Sequence, residues 1–471
     1  MTGDSVDMEK LYYPARAETF TVVCLHNAES SLCAMLHFGT MAGSQTQAPV
    51  RAIGSVALTT IAINSIVGAG IFALPANVAQ LLGASSLIGY GIAGVAVLLV
   101  VLCFAEAGSQ FDGSGGPYLY ARHTLGPFWG FQTGWMLVLS RVAGGAAISN
   151  TFCTYLGFLW PPAGYGTVRL LILTAIIVSL TWVNYRGVRS SVWLIGTLTI
   201  GKLVPLTAFC LIGLFFLDRG AITIGMPQTG SLQQAVLLLT FAFGGFEYAT
   251  IPSGEVINPR RTVPRSLLMA VLAVLVLYAA IQVVAMGTLP ELAKSNAPLA
   301  EAATRFMGPA GGILLTVGAL FSTSGTTSAS IFVGPRTLYS MSQAGQFPEA
   351  VGRLHPQFHT PALATIVFSC AMWAFAVAGT FTLLAAVAAL ARVFYYTTTC
   401  VAVPILRRGT PATNSRFTLP GGWLIPSLAT MVCLWLATGS TANQALVAGG
   451  AMMAGGVGYA LVCLTRKSPA A

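Results

Sequence analysis

Five ionisable side chains fall inside otherwise apolar segments: Glu106, Arg141, Lys202, Glu247 and Arg392. At the centre of a bilayer each costs at least about 2.5 kcal/mol unless paired or hydrated, so each requires a reason. Lys202 lies about twelve residues into its segment, roughly 18 Å of helix. That is near the middle of a hydrocarbon core roughly 30 Å thick. A lysine there is either permanently paired or able to exchange a proton. Glu247 directly follows Gly244-Gly245-Phe246. It could accept hydrogen bonds from freed backbone amides, take a proton, meet a cationic substrate or form a structural pair with Arg141. Arg392, between aromatic and small residues, offers least, and Glu106 lies where it could snorkel or pair with a loop arginine.

Two glycine clusters accompany these charges. Ile66-Val67-Gly68-Ala69-Gly70-Ile71-Phe72 interrupts the first apolar segment, and Phe241-Ala242-Phe243-Gly244-Gly245-Phe246-Glu247 the sixth, with Pro252 beyond. Glycine costs roughly 1 kcal/mol in a helix interior, and in lipid the backbone groups it frees must find partners within the protein. Interrupted helices at matching positions of two halves point to the midplane site of a secondary transporter. Phe241, Phe243, Phe246 and Tyr248 recur too closely to share one helical face, so some line a cavity while others pack.

The elements that must position these residues are membrane helices. With 55% apolar and 8% charged residues and a mean hydropathy of +0.77, the 471-residue chain is an integral membrane protein. Twelve segments are long enough to cross: 54–80, 86–110, 128–158, 168–185, 190–217, 231–253, 264–288, 309–333, 361–377, 382–404, 421–438 and 442–464. Thirteen basic residues fall on even-numbered loops and the C-terminal tail and four on odd-numbered loops. The positive-inside rule therefore puts both termini in the cytoplasm. The pI of 9.3 reflects this topology and not nucleic-acid binding, because the charges form no stripe.

Residues 1–50 hold five of the thirteen acids and no span-length apolar run, and they read as a disordered cytoplasmic extension. Met41, directly ahead of the first span, is a second candidate start. The rest divides as 51–217 (spans one to five), 218–408 (spans six to ten) and 409–471 (spans eleven and twelve). Gly449, Gly450, Gly455 and Gly456 suggest close packing, so the last two spans read as scaffold or as a homo-oligomer contact. Nine cysteines without metal spacing read as reduced packing residues, and all five histidines lie outside the spans, so no cofactor or metal is called for. Gly196-Thr197-Leu198-Thr199-Ile200-Gly201-Lys202 matches GxxxxGK, but Leu203 replaces the Mg²⁺-binding hydroxyl and the context is an apolar helix. The energy source is then an ion or exchange gradient, not ATP. No span carries an Asp pair, an HExxH or a Ser/His arrangement, which argues against an intramembrane enzyme.

Several motifs, in order along the chain, resemble those of the amino acid-polyamine-organocation superfamily. They are the first glycine cluster with Ala73-Leu74-Pro75, then Ala105-Glu106-Ala107-Gly108 through Gly115-Gly116-Pro117-Tyr118-Leu119-Tyr120, and Phe243-Gly244-Gly245-Phe246-Glu247. Asn258-Pro259-Arg260-Arg261-Thr262-Val263-Pro264, Gly334-Pro335-Arg336-Thr337-Leu338-Tyr339, Gly345-Gln346-Phe347-Pro348 and Val403-Pro404-Ile405-Leu406-Arg407-Arg408 follow. The resemblance covers residues 51–465. It implies an all-α membrane fold of twelve helices, with a five-plus-five inverted repeat of the leucine-transporter type and helices one and six interrupted. It also implies amino-acid transport by alternating access. The substrate carboxylate would rest on backbone amides at Val67, Gly68, Ala69 and Gly70, and its ammonium on carbonyls of Phe241, Ala242, Phe243 and Gly244. Ala69 stands where many members have Ser, so only backbone donors remain there.

Lys202 matches a fifth-helix lysine that, in proton-coupled members, occupies a sodium position between helices one and eight. With Glu247 it becomes the candidate for proton coupling. Hydroxyls of span eight (Ser322, Thr323, Ser324, Thr326, Thr327 and Ser328) keep sodium open. Exchange of a basic amino acid or polyamine, and a non-transporting amino-acid sensor, are the alternatives.

Overall fold

Glycine and proline punctuate the chain, and the helices start and stop where they stand. The computed structural model describes residues 54–111, 116–218, 220, 229–250, 256–358, 360–409 and 417–466. The expected extension over 1–50, with Met41, lies outside the described residues, as do Pro252, His359 and Arg416.

The first apolar segment forms two helices, α1 (Ser55–Ile66) and α2 (Gly70–Leu82), separated by the glycine cluster. Next come α3 (Ser86–Gln110), a short α4 (Pro117–Leu125) between the second and third apolar segments, and α5 (Pro127–Leu159). α6 (Gly166–Arg186) and α7 (Val188–Gly213) follow. α7 contains the GxxxxGK run as plain helix, which removes the nucleotide-loop reading structurally as well as chemically.

The sixth segment forms α8 (Thr229–Phe243), a turn at Gly244-Gly245, and a 3₁₀ turn at Phe246–Thr250. Asn258, in the left-handed region at φ 49°, leads into Pro259 and α9 (Pro259–Thr288). Asparagine tolerates that conformation, and proline at the first helical position costs no hydrogen bond. α10 (Pro298–Gln343) is two helices meeting at Gly308, whose φ of 68° allows the kink before Pro309. α11 (Ala362–Ala378), α12 (Phe381–Gly409), α13 (Leu424–Thr438) and α14 (Ala442–Arg466) complete the chain.

All regular structure among the described residues is helical, and every apolar segment read from the sequence falls on a helix. Eight helical stretches are long and apolar enough to cross a membrane, and four shorter apolar helices accompany them. α1 and α8 are among the short ones because each is only half of an interrupted segment.

Burial sorts the helices. The most apolar window of α5 is 89% buried and that of α12 83%, against 17% for α6 and 11% for α14. α5 and α12 therefore form the centre, and their polar side chains are the ones the fold hides from lipid. Small residues let the backbones approach: Gly145 packs on Met372 and Gly144 on Phe241. α14 lies against α5, where Trp135 Nε1 donates to Ala451 O at 2.7 Å and Gln132 Nε2 to Met452 O at 3.2 Å. Gly455 and Gly456 serve this contact within the chain, whereas Gly449 and Gly450 have open space beside them.

Five of the cysteines are buried without disulfides (Cys103, Cys153, Cys210, Cys400 and Cys433), as packing residues would be, while Cys370 is exposed.

Candidate functional site

At the first break the helix stops because Val67 leaves helical geometry (ψ 81°), and the chain then turns tightly. The amide of Val67 donates to Ile63 O at 2.8 Å and that of Gly68 to Ile66 O at 2.7 Å. This releases carbonyls that must be satisfied elsewhere. Lys202, 1% exposed, donates from Nζ to Asn64 O at 2.7 Å and Val67 O at 2.6 Å, while Ser322 Oγ donates to Val67 O at 3.5 Å. No side chain caps the start of α2, and the first turn of a helix has amides without intrahelical acceptors. The result is a positive helix end aimed at the gap.

At the second break α8 ends on Phe243 and Gly245 adopts φ 120°, a conformation open to glycine. Here α12 supplies the partners, because Arg392, Tyr395 and Tyr396 share one face at helical spacing. Arg392 Nη1 donates to Thr240 O at 3.2 Å and Phe241 O at 3.0 Å. Its Nε lies 3.6 Å from Glu247 Oε1. Glu247 also accepts from Tyr395 Oη (2.8 Å), Tyr396 Oη (3.3 Å) and the amide of Gly245 (2.9 Å). A buried ion pair tolerates desolvation only when its remaining lone pairs are bonded in this way.

The two breaks touch. A Cβ at Gly70 would stand 2.7 Å from the Cα of Ala242, and one at Gly245 would strike the Ser65 carbonyl. Tyr278 Oη from α9 donates to both, at 3.0 Å to Ile66 O and 3.3 Å to Ala242 O. Between the breaks is a cavity of about 30 Å³. That is room for about one water and far below the several hundred Å³ of a small-molecule site, so this conformation is closed. Gly68, Ala69, Gly70, Phe241, Ala242 and Gly244 line it, joined by Arg141, Tyr248, Thr326 and Arg392.

Six of the nine residues expected to bind substrate thus border one cavity, and three do not. Val67 turns its carbonyl to Lys202. Phe243 packs on the Tyr278 ring at 5.1 Å. Glu247 is enclosed by its four partners and is not among the residues that line the cavity. Two of the four carbonyls assigned to an ammonium, those of Phe241 and Ala242, already accept from Arg392 and Tyr278. The partner of Glu247 is Arg392 and not Arg141, the structural pairing offered as an alternative, so Arg392, which with Glu106 offers least from sequence, stands at the second break. What could have flagged it is Arg-x-x-Tyr-Tyr, three polar groups on one face of an apolar helix.

Arg141 is 3% exposed and stacks on the Tyr248 ring at 3.8 Å, yet none of its three nitrogens has a hydrogen-bond acceptor among the described residues. Glu106, by contrast, pairs with a loop-side arginine as expected. Arg407 donates to both its oxygens at 2.6 Å, and the amide of Leu419 donates at 2.9 Å.

Residues 53–460 match the family described as amino acid permease. The chain belongs to that family. The permease is 31% identical over 335 residues to an uncharacterized transporter of Mycobacterium tuberculosis, covering 69% of this chain and 73% of the relative. It is 28% identical over 415 residues to a methylthioribose transporter of Bacillus subtilis, covering 84% and 89%. A branched-chain amino acid permease of the same organism is 27% identical over 412 residues, covering 82% and 87%. The permease is therefore a multi-pass membrane transporter and not an enzyme.

Proposed function

We propose that this permease carries amino acids across the cytoplasmic membrane by alternating access, coupled to protons. In this reading it has twelve spans in two inverted repeats of five, both termini are cytoplasmic, and α13 and α14 are available for contact with a second copy. The observation that carries the proposal is the meeting of two helix breaks around one cavity, with unwound backbone from both lining it. The α2 start offers amides to a carboxylate, and the α8 end offers carbonyl oxygen to an ammonium. The relative named as a branched-chain amino acid permease agrees with that substrate class.

Proton coupling is supported by Lys202. Its ammonium occupies the carbonyls of Asn64 and Val67, with Ser322 beside them, which are the oxygens a sodium ion would otherwise use. Charged, it ties α7 to the end of α1; neutral, it loses the attraction, so its proton biases one state of the cycle. Exchange of a basic amino acid or polyamine finds less support, because Glu247, the one carboxylate near the breaks among the described residues, is already bound by four groups.

The test is amino-acid uptake into proteoliposomes under an inward proton gradient, with and without sodium. Accumulation should require the proton gradient and not sodium. Lys202→Ala should abolish accumulation while leaving substrate binding in place. Sodium dependence in the wild type, or an unchanged proton requirement in Lys202→Ala, refutes the coupling. Binding without any flux would make the chain a sensor.

A further inference from the structure

Among the five ionisable residues inside the apolar segments, four have been accounted for. Glu106 holds Arg407 and the Leu419 amide, Lys202 holds two carbonyls, Glu247 and Arg392 hold each other, and Arg392 also donates to the α8 carbonyls. Arg141 alone of the five has no hydrogen-bond acceptor among the described residues, although it is 3% exposed and borders the cavity between the breaks. The Tyr248 ring, 3.8 Å from its guanidinium carbon, compensates part of the buried charge through its π face. A ring occupies the face of a guanidinium, however, and leaves its in-plane N–H donors unspent. Those donors form a fork whose natural complement is a carboxylate.

The charge around the cavity points the same way. Its lining contains two cations, Arg141 and Arg392, and Glu247 neutralises only Arg392. None of the neighbouring hydroxyls is an acceptor for Arg141: Ser140, Ser330 and Thr326 are turned to backbone carbonyls, donating to Ala388 O, Thr326 O and Ser322 O, and all three guanidinium nitrogens are left without a hydrogen-bond partner among the described residues. Among the described residues, one positive charge in a low-dielectric site therefore lacks its counter-charge. A neutral zwitterion adds no net charge, and a basic amino acid or polyamine would add repulsion.

We propose that Arg141 is the specificity-determining residue of this site and that the substrate is an acidic amino acid, its side-chain carboxylate bound by the Arg141 guanidinium. The inference rests on the amino-acid transport reading above and adds the substrate class to it. The α-carboxylate goes to the amides at the start of α2, and the second carboxylate goes to Arg141 of α5, which lines the same cavity. Binding must widen the cavity, which is bordered beside Arg141 by Gly144 and Gly145.

The test compares each acid with its own amide, so that size and backbone stay constant and only the charge changes. Uptake and competition in proteoliposomes use L-aspartate against L-asparagine and L-glutamate against L-glutamine, with L-leucine and L-arginine as further competitors. In the wild type at least one acid should bind roughly tenfold or more tightly than its amide, the scale of a charge-assisted hydrogen bond. Arg141→Gln should erase that preference by weakening the acid and sparing the amide, and Arg141→Lys should keep part of it. Equal or better handling of the amides or of leucine by the wild type overturns the inference, even if Arg141→Gln fails to fold. Equal weakening of acid and amide in Arg141→Gln also overturns it, since Arg141 would then hold the α-carboxylate. Thermal stabilisation of the detergent-solubilised wild type by acid over amide gives the same comparison without flux. Absence of uptake alone would refute transport, while absence of an acid preference would refute this assignment.

Discussion

Glu247 illustrates how a buried charge in lipid can be structural while standing at the functional locus. Its carboxylate joins the amide freed at Gly245 to the hydroxyls of Tyr395 and Tyr396 and to Arg392, so that the break in α8 is fastened to α12. Glu247→Gln keeps the size and removes the charge, which leaves Arg392 buried without its counter-ion. Removing one partner of a buried pair costs roughly 3–5 kcal/mol. The variant should therefore melt at a clearly lower temperature in detergent, and its pH profile of residual transport between pH 5 and 8 should match the wild type. A variant as stable as the wild type but with a shifted pH profile would instead make Glu247 a proton carrier. Arg392→Met, which empties the other half of the pair, should show comparable destabilisation.

At the scale of helices, the breaks were legible in the sequence and their fastenings were not. Gly68, Gly70, Gly244 and Gly245 stand out because glycine is costly within a membrane helix, and the chain does leave helical geometry at both places. The partners were hidden because they come from distant helices: Tyr395 meets Glu247 across 148 residues and Lys202 meets Asn64 across 138. Periodicity speaks of a face, not of what that face will find. For the same reason Arg392, one of the two residues that offer least in the sequence, is the partner of Glu247, and the alternative pairing with Arg141 is not the one formed.

The glycines themselves have unequal roles. At Gly70 an added Cβ meets backbone, the Ala242 Cα at 2.7 Å, whereas at Gly68 it meets the Thr326 methyl at 3.2 Å, a side chain that can give by a few tenths of an ångström. Gly70→Ala should force the breaks apart and lose transport with reduced stability. Gly68→Ala should fold normally and weaken substrate binding only several-fold. Thermal melting alongside uptake separates the two, and equal defects in both variants would contradict this packing.

For the molecule as a whole, composition and length already imposed a membrane fold, and the helices occupy the segments that hydropathy marked. The proposed orientation, with both termini cytoplasmic, rests on the distribution of arginine. A reporter fused after Arg466 that is active only in the cytoplasm should therefore be active, and one inserted in the 289–297 loop should be silent. The reverse result would invert the topology.

Tyr278 has one hydroxyl proton to share between the carbonyls of Ile66 and Ala242. While the breaks are together, that single proton is divided between them. Once they separate, it can follow only one. The hydroxyl is thus a shared fastening, and any parting of α1 from α8 must give up one of its two bonds.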